Sequence, residues 1–263
     1  MKQVLKWKLI ALGISLALMA CNNDEKKADT AAANTDTTAT AKTTPDSTAA
    51  PKVENLDAAK VASALYTVAK DTMGIRVLNV LYKPGDSSAL HSHPDVVLYV
   101  IDGGKGEFTG KDGTKQIREL KSGMAMTVPA ETHSVKNIGT TTLKAILVEV
   151  NRPNTAAPAQ DAAMDAVKVA PTLYKKISDT MNIRVLMATY KPGASSAMHS
   201  HPDYAIYDIE GGKAEFTTKD GKKLQNNMTK GTINIIPADS HAVKNNGNTT
   251  IKVLIVEVNR PLK

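Results

Sequence analysis

The sequence of 263 residues has a single cysteine, only 4% aromatic residues and no apolar run long enough for a relaxed membrane span. One cysteine excludes a disulfide framework and every cysteine-rich zinc module. The glycine patterns of nucleotide-binding loops are also absent, because Thr109 follows Gly104 and Gly106 where the last glycine of Gly-x-Gly-x-x-Gly belongs. These absences argue against a disulfide-stabilised module and against a nucleotide-binding enzyme.

The net charge is small once the first twenty residues are set aside. The chain has 33 Lys+Arg and 26 Asp+Glu, a formal charge of +7, and residues 1–20 hold three lysines and no acid. The remaining chain therefore carries 30 minus 26, or +4. Such a mildly basic chain does not favour a nucleic-acid partner, and we expect none.

The amino terminus is typical of a bacterial lipoprotein signal peptide over residues 1–20. Three lysines precede an apolar stretch of about a dozen residues, which suits a signal-peptide core. The stretch ends in Leu-Met-Ala-Cys21, which resembles a lipoprotein box and implies that Cys21 is lipidated. An ordinary secretory signal with an incidental cysteine is the alternative. We expect a protein anchored by lipid to the bacterial cell envelope without spanning it, and Asn22 favours the outer membrane.

Residues 21–56 are predicted to form a disordered tether. They are rich in Thr, Ala, Asp and Lys, and Val53 and Leu56 are their only bulky aliphatic residues. A segment of this composition cannot bury enough apolar area to offset the entropy lost on ordering.

The rest of the chain is an internal duplication. A shift of 108 positions superimposes residues 61–153 on 169–261 without a gap, and about 52 of those 93 positions are identical. A period of this length is too long for a solenoid repeat, so each copy is predicted to be a domain. The predicted domains are 57–153 and 165–263, with a linker at 154–164.

Within each copy the pattern predicts β-structure. Runs such as 75–82 and 143–150 are rich in β-branched residues, and the second is continuous enough to indicate burial on both faces. Turn signals separate the runs at short intervals, and the Lys-Asp-Gly sequences at 111–113 and 219–221 predict tight hairpins. Many short strands with almost no helical periodicity predict an all-β sandwich or small barrel.

The histidines mark a candidate metal site. All six occupy repeat-related positions: His91, His93 and His133, then His199, His201 and His241. Two histidines separated by one residue on a strand point to the same face, and an antiparallel neighbour could bring the third beside them. Three convergent imidazoles suit a divalent transition metal and leave coordination positions open. Separate surface or hydrogen-bonded histidines are the alternative, but they do not explain why no histidine lies elsewhere.

The same residues resemble the two sequence motifs of the cupin superfamily. The first copy carries Gly85, His91, His93, Gly103, Gly104, Gly123, Pro129, His133 and Asn137, and the second carries Gly193, His199, His201, Gly211, Gly212, Gly231, Pro237, His241 and Asn245. The resemblance covers both copies nearly end to end. It implies a bicupin made of two tandem jelly-roll β-barrels, each with a three-histidine site for Fe, Mn, Zn, Ni or Cu.

The chain departs from the motif at the usual fourth metal ligand. In the alignment the family's glutamate falls on Val97 in the first copy and on Ala205 in the second, and neither can bind metal. A site of three histidines resembles that of cupin thiol dioxygenases, and it is also compatible with a weakened site or a metal-free pocket. Asp95 and Asp203 are the nearest substitute carboxylates, but a Pro-Asp turn explains them better.

Alternation from the same strand gives two candidate pocket residues. Tyr99 and Tyr207 share a face with Val97 and Ala205, so they are predicted to point into the barrels. There a phenol could donate to a bound ligand or act as a general acid, although such a tyrosine is more often a core residue.

Three classes of function remain open at this stage. The first is a metal-dependent dioxygenase or isomerase acting on a small polar molecule. The second is a non-catalytic lipoprotein that binds a small ligand or a metal at a vestigial cupin site, and the third is a structural role. The sequence does not decide between enzyme and binder, and assembly as a homo-oligomer stays open.

Overall fold

The computed structural model describes residues 56–158 and 160–262. The predicted signal peptide, the lipidation site Cys21 and the tether up to residue 55 lie outside this part of the chain. Within the described residues, no helix is long and apolar enough to cross a membrane.

Each copy forms a single-turn helix followed by nine strands. In the first copy these are α1 (Ala58–Val61), β1 (Tyr66–Thr72), β2 (Ile75–Tyr82), β3 (His91–His93), β4 (Val96–Asp102), β5 (Gly104–Gly110), β6 (Lys115–Leu120), β7 (Ala125–Val128), β8 (Glu131–Asn137) and β9 (Leu143–Val150). In the second they are a 3-10 turn (Ala162–Met164), α2 (Ala166–Val169), β10 (Tyr174–Thr180), β11 (Ile183–Tyr190), β12 (His199–His201), β13 (Tyr204–Glu210), β14 (Gly212–Thr218), β15 (Lys223–Met228), β16 (Ile233–Ile236), β17 (Asp239–Asn245) and β18 (Ile251–Val258).

The strands of each copy form two antiparallel sheets in a jelly-roll sandwich. In the first copy the five-stranded sheet has the order β1-β2-β9-β4-β7 and the four-stranded sheet has the order β3-β8-β5-β6. The second copy repeats this arrangement as β10-β11-β18-β13-β16 and β12-β17-β14-β15. The predicted all-β fold with two tandem jelly-roll barrels is confirmed.

The central strand of the five-stranded sheet is buried on both faces, as its continuous apolar run predicts. Strand β9 lies between β2 and β4, and its residues 145–150 are all buried. Leu147 packs into the core of its own copy, whereas Ile146 and Val148 belong to a cluster that the two copies share. The alternation of side chains along a strand therefore divides β9 between two cores.

Short-range signals fix the ends of several elements. The carboxylate of Asp57 accepts a hydrogen bond of 2.9 Å from the Ala59 N–H and caps α1, and Asp165 caps α2 in the same way. Gly113 and Gly221 have φ values of 81° and 83° in the predicted hairpin turns. Backbone with positive φ favours glycine at these positions.

The two barrels pack against each other through the outer faces of their five-stranded sheets. We call this shared cluster the inter-barrel core, and it comprises Ile75, Val77, Val97, Tyr99, Ile146, Val148, Val150, Ile183, Val185, Ala205, Tyr207, Leu254, Val256 and Val258. The rings of Tyr99 and Tyr207 meet in it with centroids 5.6 Å apart. The sheet faces that carry these residues are therefore buried away from both cavities.

Two reciprocal ion pairs join the barrels beside this core. Arg152 binds Asp203 at 2.7 Å and Arg260 binds Asp95 at 2.6 Å. Each arginine also donates to the backbone carbonyl of the other, at 2.9 and 3.2 Å. The second oxygen of Asp95 accepts from the Ala130 N–H. Asp203 accepts from the Ala238 N–H in the same way. Both aspartates thus bind a turn and an arginine of the other barrel, in agreement with the prediction that they are not metal ligands.

The inter-barrel ion pairs give the first testable prediction. The Arg152 side chain is only 3% exposed, so Arg152→Ala leaves Asp203 without its cation in a half-buried site. We expect the free energy of unfolding to fall by about 3 kcal/mol, measured by urea denaturation. The control is Lys115→Ala, which removes an ion pair whose lysine is 63% exposed and should change stability by no more than about 0.5 kcal/mol. Equal losses in the two variants would contradict a stabilising role for the buried pair.

Candidate metal centre

Each barrel encloses a cavity between its two sheets. The first cavity has a volume of about 300 Å³ and the second about 450 Å³. Strand β4 contributes Val96, Leu98 and Val100 to the first, and β13 contributes residues of the same face to the second. In each barrel, histidines of the predicted triad lie at the wall of this cavity.

The strand pairing brings the three histidines of the first barrel together. The side chains of His91 and His93 point to the same face of β3. Strand β8 runs antiparallel beside it, so that His133 pairs directly with His91. One ring nitrogen from each of the three lies within 4.8 Å of the others. His199, His201 and His241 form the same group in the second barrel. The predicted three-histidine groups are therefore present in both halves.

Hydrogen bonds to Nδ1 orient every imidazole of the first group. His91 Nδ1 donates to the Ala89 carbonyl at 2.8 Å, and His93 Nδ1 donates to the Glu149 carboxylate at 2.6 Å. His133 Nδ1 lies 2.8 Å from the Glu131 carboxylate. Because these oxygens accept, each ring presents its Nδ1–H to its partner, and Nε2 of a neutral ring then has a free lone pair.

The free Nε2 atoms fit a metal ion. Nε2 of His91 and Nε2 of His93 are buried without any hydrogen-bond partner, as is Nε2 of His201 in the second barrel. Burial lowers the pKa of His91 to about 4, and that of His199 to about 4, which keeps both rings neutral at physiological pH. Neutral imidazoles with acceptor-bound Nδ1 and convergent Nε2 are the usual ligands of a divalent transition metal.

A buried carboxylate behind the histidines was missed by the sequence reasoning. Glu149 is fully buried on β9, and its two oxygens bind His93 and Arg76. Arg76 in turn binds Asp57, the cap of α1, at 2.7 Å. The second barrel repeats the chain with Arg184, Glu257 and Asp165. The available signal was an acid kept in both copies within an apolar run, with an arginine kept on the neighbouring strand.

The second centre differs from the first in its contacts. In both copies a tyrosine pair shares a hydrogen bond, Tyr82 with Tyr66 and Tyr190 with Tyr174. In the second copy the Tyr174 hydroxyl also donates to Nε2 of His199 at 2.8 Å. Asp239 replaces Glu131 and lies 3.0 Å from His241 Nδ1. Both copies therefore keep the histidine geometry while the groups around it change.

The prediction that Tyr99 and Tyr207 line the ligand pockets is wrong. Both belong to the inter-barrel core and contact each other there. The tyrosines that do line the cavities are Tyr66 and Tyr82 in the first barrel, and Tyr174, Tyr190 and Tyr204 in the second. The physical reason is that the strand is buried on both faces, so its sequence cannot show which face meets the cavity.

The same one-residue error affects the position of the missing fourth ligand. Val97 and Ala205 are buried in the inter-barrel core and do not face the histidines. Their neighbours Leu98 and Ile206 line the cavities. At Leu98 and Ile206, where this strand could have placed an acidic fourth ligand in the cavity, both barrels have an aliphatic residue.

Comparison with known proteins agrees with this architecture. The cupin domain model matches residues 78–149 and 186–257. No functionally curated protein matches the chain significantly.

Several solved structures share the fold. A variant of oxalate decarboxylase from Bacillus subtilis is 18% identical, covers 72% of this chain and 70% of its own, and has a TM-score of 0.52. A structure of the same enzyme, from work on its Mn(II) centres, is 17% identical over 72% and 70% with a TM-score of 0.51. AerE from Microcystis aeruginosa is 16% identical over 74% and 97% with a TM-score of 0.50. Two domain matches, two jelly-roll barrels and a histidine group in each make this chain a member of the cupin family, with the domain duplicated.

Proposed function

We propose that this bicupin binds one divalent transition metal ion in each barrel, and that a small polar molecule binds beside the ion. The observation that carries the proposal is the set of buried, unpartnered Nε2 atoms whose Nδ1 partners are all hydrogen-bond acceptors. Without a ligand, a buried polar atom of this kind costs free energy. A metal ion would remove that cost at His91 and His93 in the first barrel and at His201 in the second.

The residues around the centre have separable roles. His91, His93 and His133 would hold the ion in the first barrel, and His199, His201 and His241 in the second. Once bound, the metal supplies Lewis-acid activation of a substrate oxygen. Glu149 and Glu257 fix the orientation of His93 and His201 and make them better ligands.

Metal-dependent dioxygenase or isomerase chemistry on a small polar molecule is the activity we favour. The second cavity supports it, because Tyr204 lies against His201, and Asn234 and Asp208 add further polar groups to its wall. The Mn(II) centres of the structurally similar oxalate decarboxylase are consistent with a divalent metal here. The candidate ions are Fe, Mn, Zn, Ni and Cu, and elemental analysis identifies which of them is bound.

A non-catalytic binding role is the second candidate, and the first cavity favours it. Its wall is mostly apolar, with Val96, Leu98, Val100, Met124 and Met126 in the positions that face the ligand space. The groups near its histidines that could transfer a proton are Glu131, which is bound to His133, and the buried tyrosines Tyr66 and Tyr82. The first barrel would then bind a metal or a small ligand without turnover, while the second carries any chemistry.

We further propose that lipid on Cys21 holds the protein at the bacterial cell envelope, with the outer membrane as the favoured membrane. The basic first residues, the short apolar stretch and the position of the single cysteine support this.

Metal content tests the main proposal. Protein purified without a histidine tag after metal-supplemented expression should contain about two transition-metal ions per chain by elemental analysis. Replacing His91, His93 and His133 by alanine should leave about one, because the second barrel is intact. A wild-type value near zero would overturn the metal proposal, and an unchanged value in the triple variant would place the ions elsewhere.

A pair of neighbouring substitutions tests the corrected register. Leu98→Glu adds a carboxylate to the first cavity, so the metal-free protein should lose several kcal/mol of stability and recover it when metal binds. Val97→Glu puts the same carboxylate in the inter-barrel core, where we expect a similar loss with no recovery. Melting temperatures with and without added divalent metal measure both effects. Recovery of Val97→Glu, or none for Leu98→Glu, would contradict the assigned faces.

Membrane attachment has its own test. Cys21→Ser should leave the precursor unprocessed or release the protein from membranes, as followed by cell fractionation and mass spectrometry of the amino terminus. Retention of an intact, unlipidated wild-type chain at the membrane would count against lipidation.

A further inference from the structure

The cavity of the second barrel carries polar groups at positions where the first barrel has apolar ones. On the cavity face of β13, Tyr204 and Asp208 replace Val96 and Val100 of the first copy. On and beside β16, Asn234 and Thr232 replace two methionines. The backbone pairing is the same in both copies, so the difference lies in the side chains that a ligand would meet.

Asp208 is the polar group of this cavity for which the described residues around it provide no charge partner. It is only 2% exposed, it lines the cavity, and its Oδ1 is buried without a hydrogen-bond partner. Among the described residues that line this cavity there is no lysine or arginine, and Asp239 adds a second acid. The only acid on the corresponding strand of the first cavity, Asp102, is instead paired with Lys144 at 3.3 Å.

An unpaired buried carboxylate is costly, and a hydrophobic residue fits its place. Burial raises the pKa of Asp208 to about 6, so the group is ionised at pH 8. Isolated buried charges are rare in proteins unless a partner neutralises them. Val100 occupies the equivalent position of the first barrel, so the fold does not require an acid there.

We propose that the second barrel binds a small molecule with a protonated amine, and that Asp208 holds the ammonium group. The ammonium supplies the positive charge that the cavity wall lacks and a hydrogen-bond donor for the unpartnered oxygen of Asp208. Asp208 lies four residues beyond Tyr204 on β13, about 13 Å along the strand, and the Tyr204 ring contacts His201. The ammonium therefore sits at the end of the cavity away from the histidines, and the ligand is a linear amine whose other end points toward them.

This inference deepens the proposed function of the same cavity, but it can be tested without metal. The probe is 5-amino-1-pentanol, and its uncharged counterpart is 1,5-pentanediol. Calorimetric titration of the metal-free protein at pH 8 should show binding of the amine about tenfold or more tighter than of the diol. The hydroxyl of the diol can still donate a hydrogen bond to Asp208, but it lacks the positive charge that pairs with the carboxylate.

Two substitutions at Asp208 assign the binding to this residue. Asp208→Asn keeps the shape and should weaken amine binding about tenfold or more. Asp208→Val copies the residue of the first barrel, so it should abolish amine binding and raise the melting temperature. The control Asp102→Asn removes an acid of the first cavity and should leave amine affinity unchanged.

The outcomes separate this inference from the metal proposal. Tighter binding of the amine that is lost in both Asp208 variants supports the inference, whatever the metal content. Equal binding of amine and diol, no amine binding to wild-type protein, or full amine affinity in the Asp208 variants would overturn it. A failure of metal binding alone would leave amine binding in place.

Discussion

A fully buried carboxylate in each barrel, Glu149 or Glu257, connects the three-histidine group to the rest of the fold. Such a group is tolerated only when its charge is paired and its lone pairs are used. Here a histidine of the triad binds one oxygen and an arginine of the neighbouring strand binds the other. The arginine reaches on to the aspartate that caps the short helix. The orientation of the imidazole therefore depends on the pairing of the central strands and on the segment that enters the barrel.

The two copies have the same contacts around the buried glutamate, but they differ in the residues that line their cavities. Both copies have the three histidines, the buried glutamate, its arginine partner and the aspartate that caps the short helix. Both also have the arginine that joins the barrels, since Arg152 and Arg260 each donate to the backbone carbonyl of the other. The cavity walls differ, because one is almost wholly apolar and the other carries an unpaired acid and several polar groups. Side chains that face a cavity can change without loss of the sheets, whereas those in the inter-barrel core must fit a partner. Each barrel can thus have the same kind of three-histidine site and still bind a different small molecule.

Much of this organisation could be predicted from the sequence because its signals are local or repeated. Alternation, turn residues and the histidine spacing indicated the all-β barrels and the triads. The pocket tyrosines and the position of the missing ligand were wrong because β4 is buried on both faces, and a shift of one residue exchanges the cavity for the inter-barrel core. The role of Glu149 was missed because its partner Arg76 is 73 residues away and becomes its neighbour only through strand pairing.

The central claim is that three Nε2 atoms in each barrel bind one metal ion, with the Nδ1 atoms held by acceptors. Anomalous X-ray diffraction from crystals of the metal-loaded protein tests this most directly. We predict one anomalous peak per barrel at about 2.1 Å from each Nε2, with the bonds from His93 to Glu149 and from His201 to Glu257 retained. Peaks confined to the protein surface, or none in either barrel at full metal supply, would contradict the account.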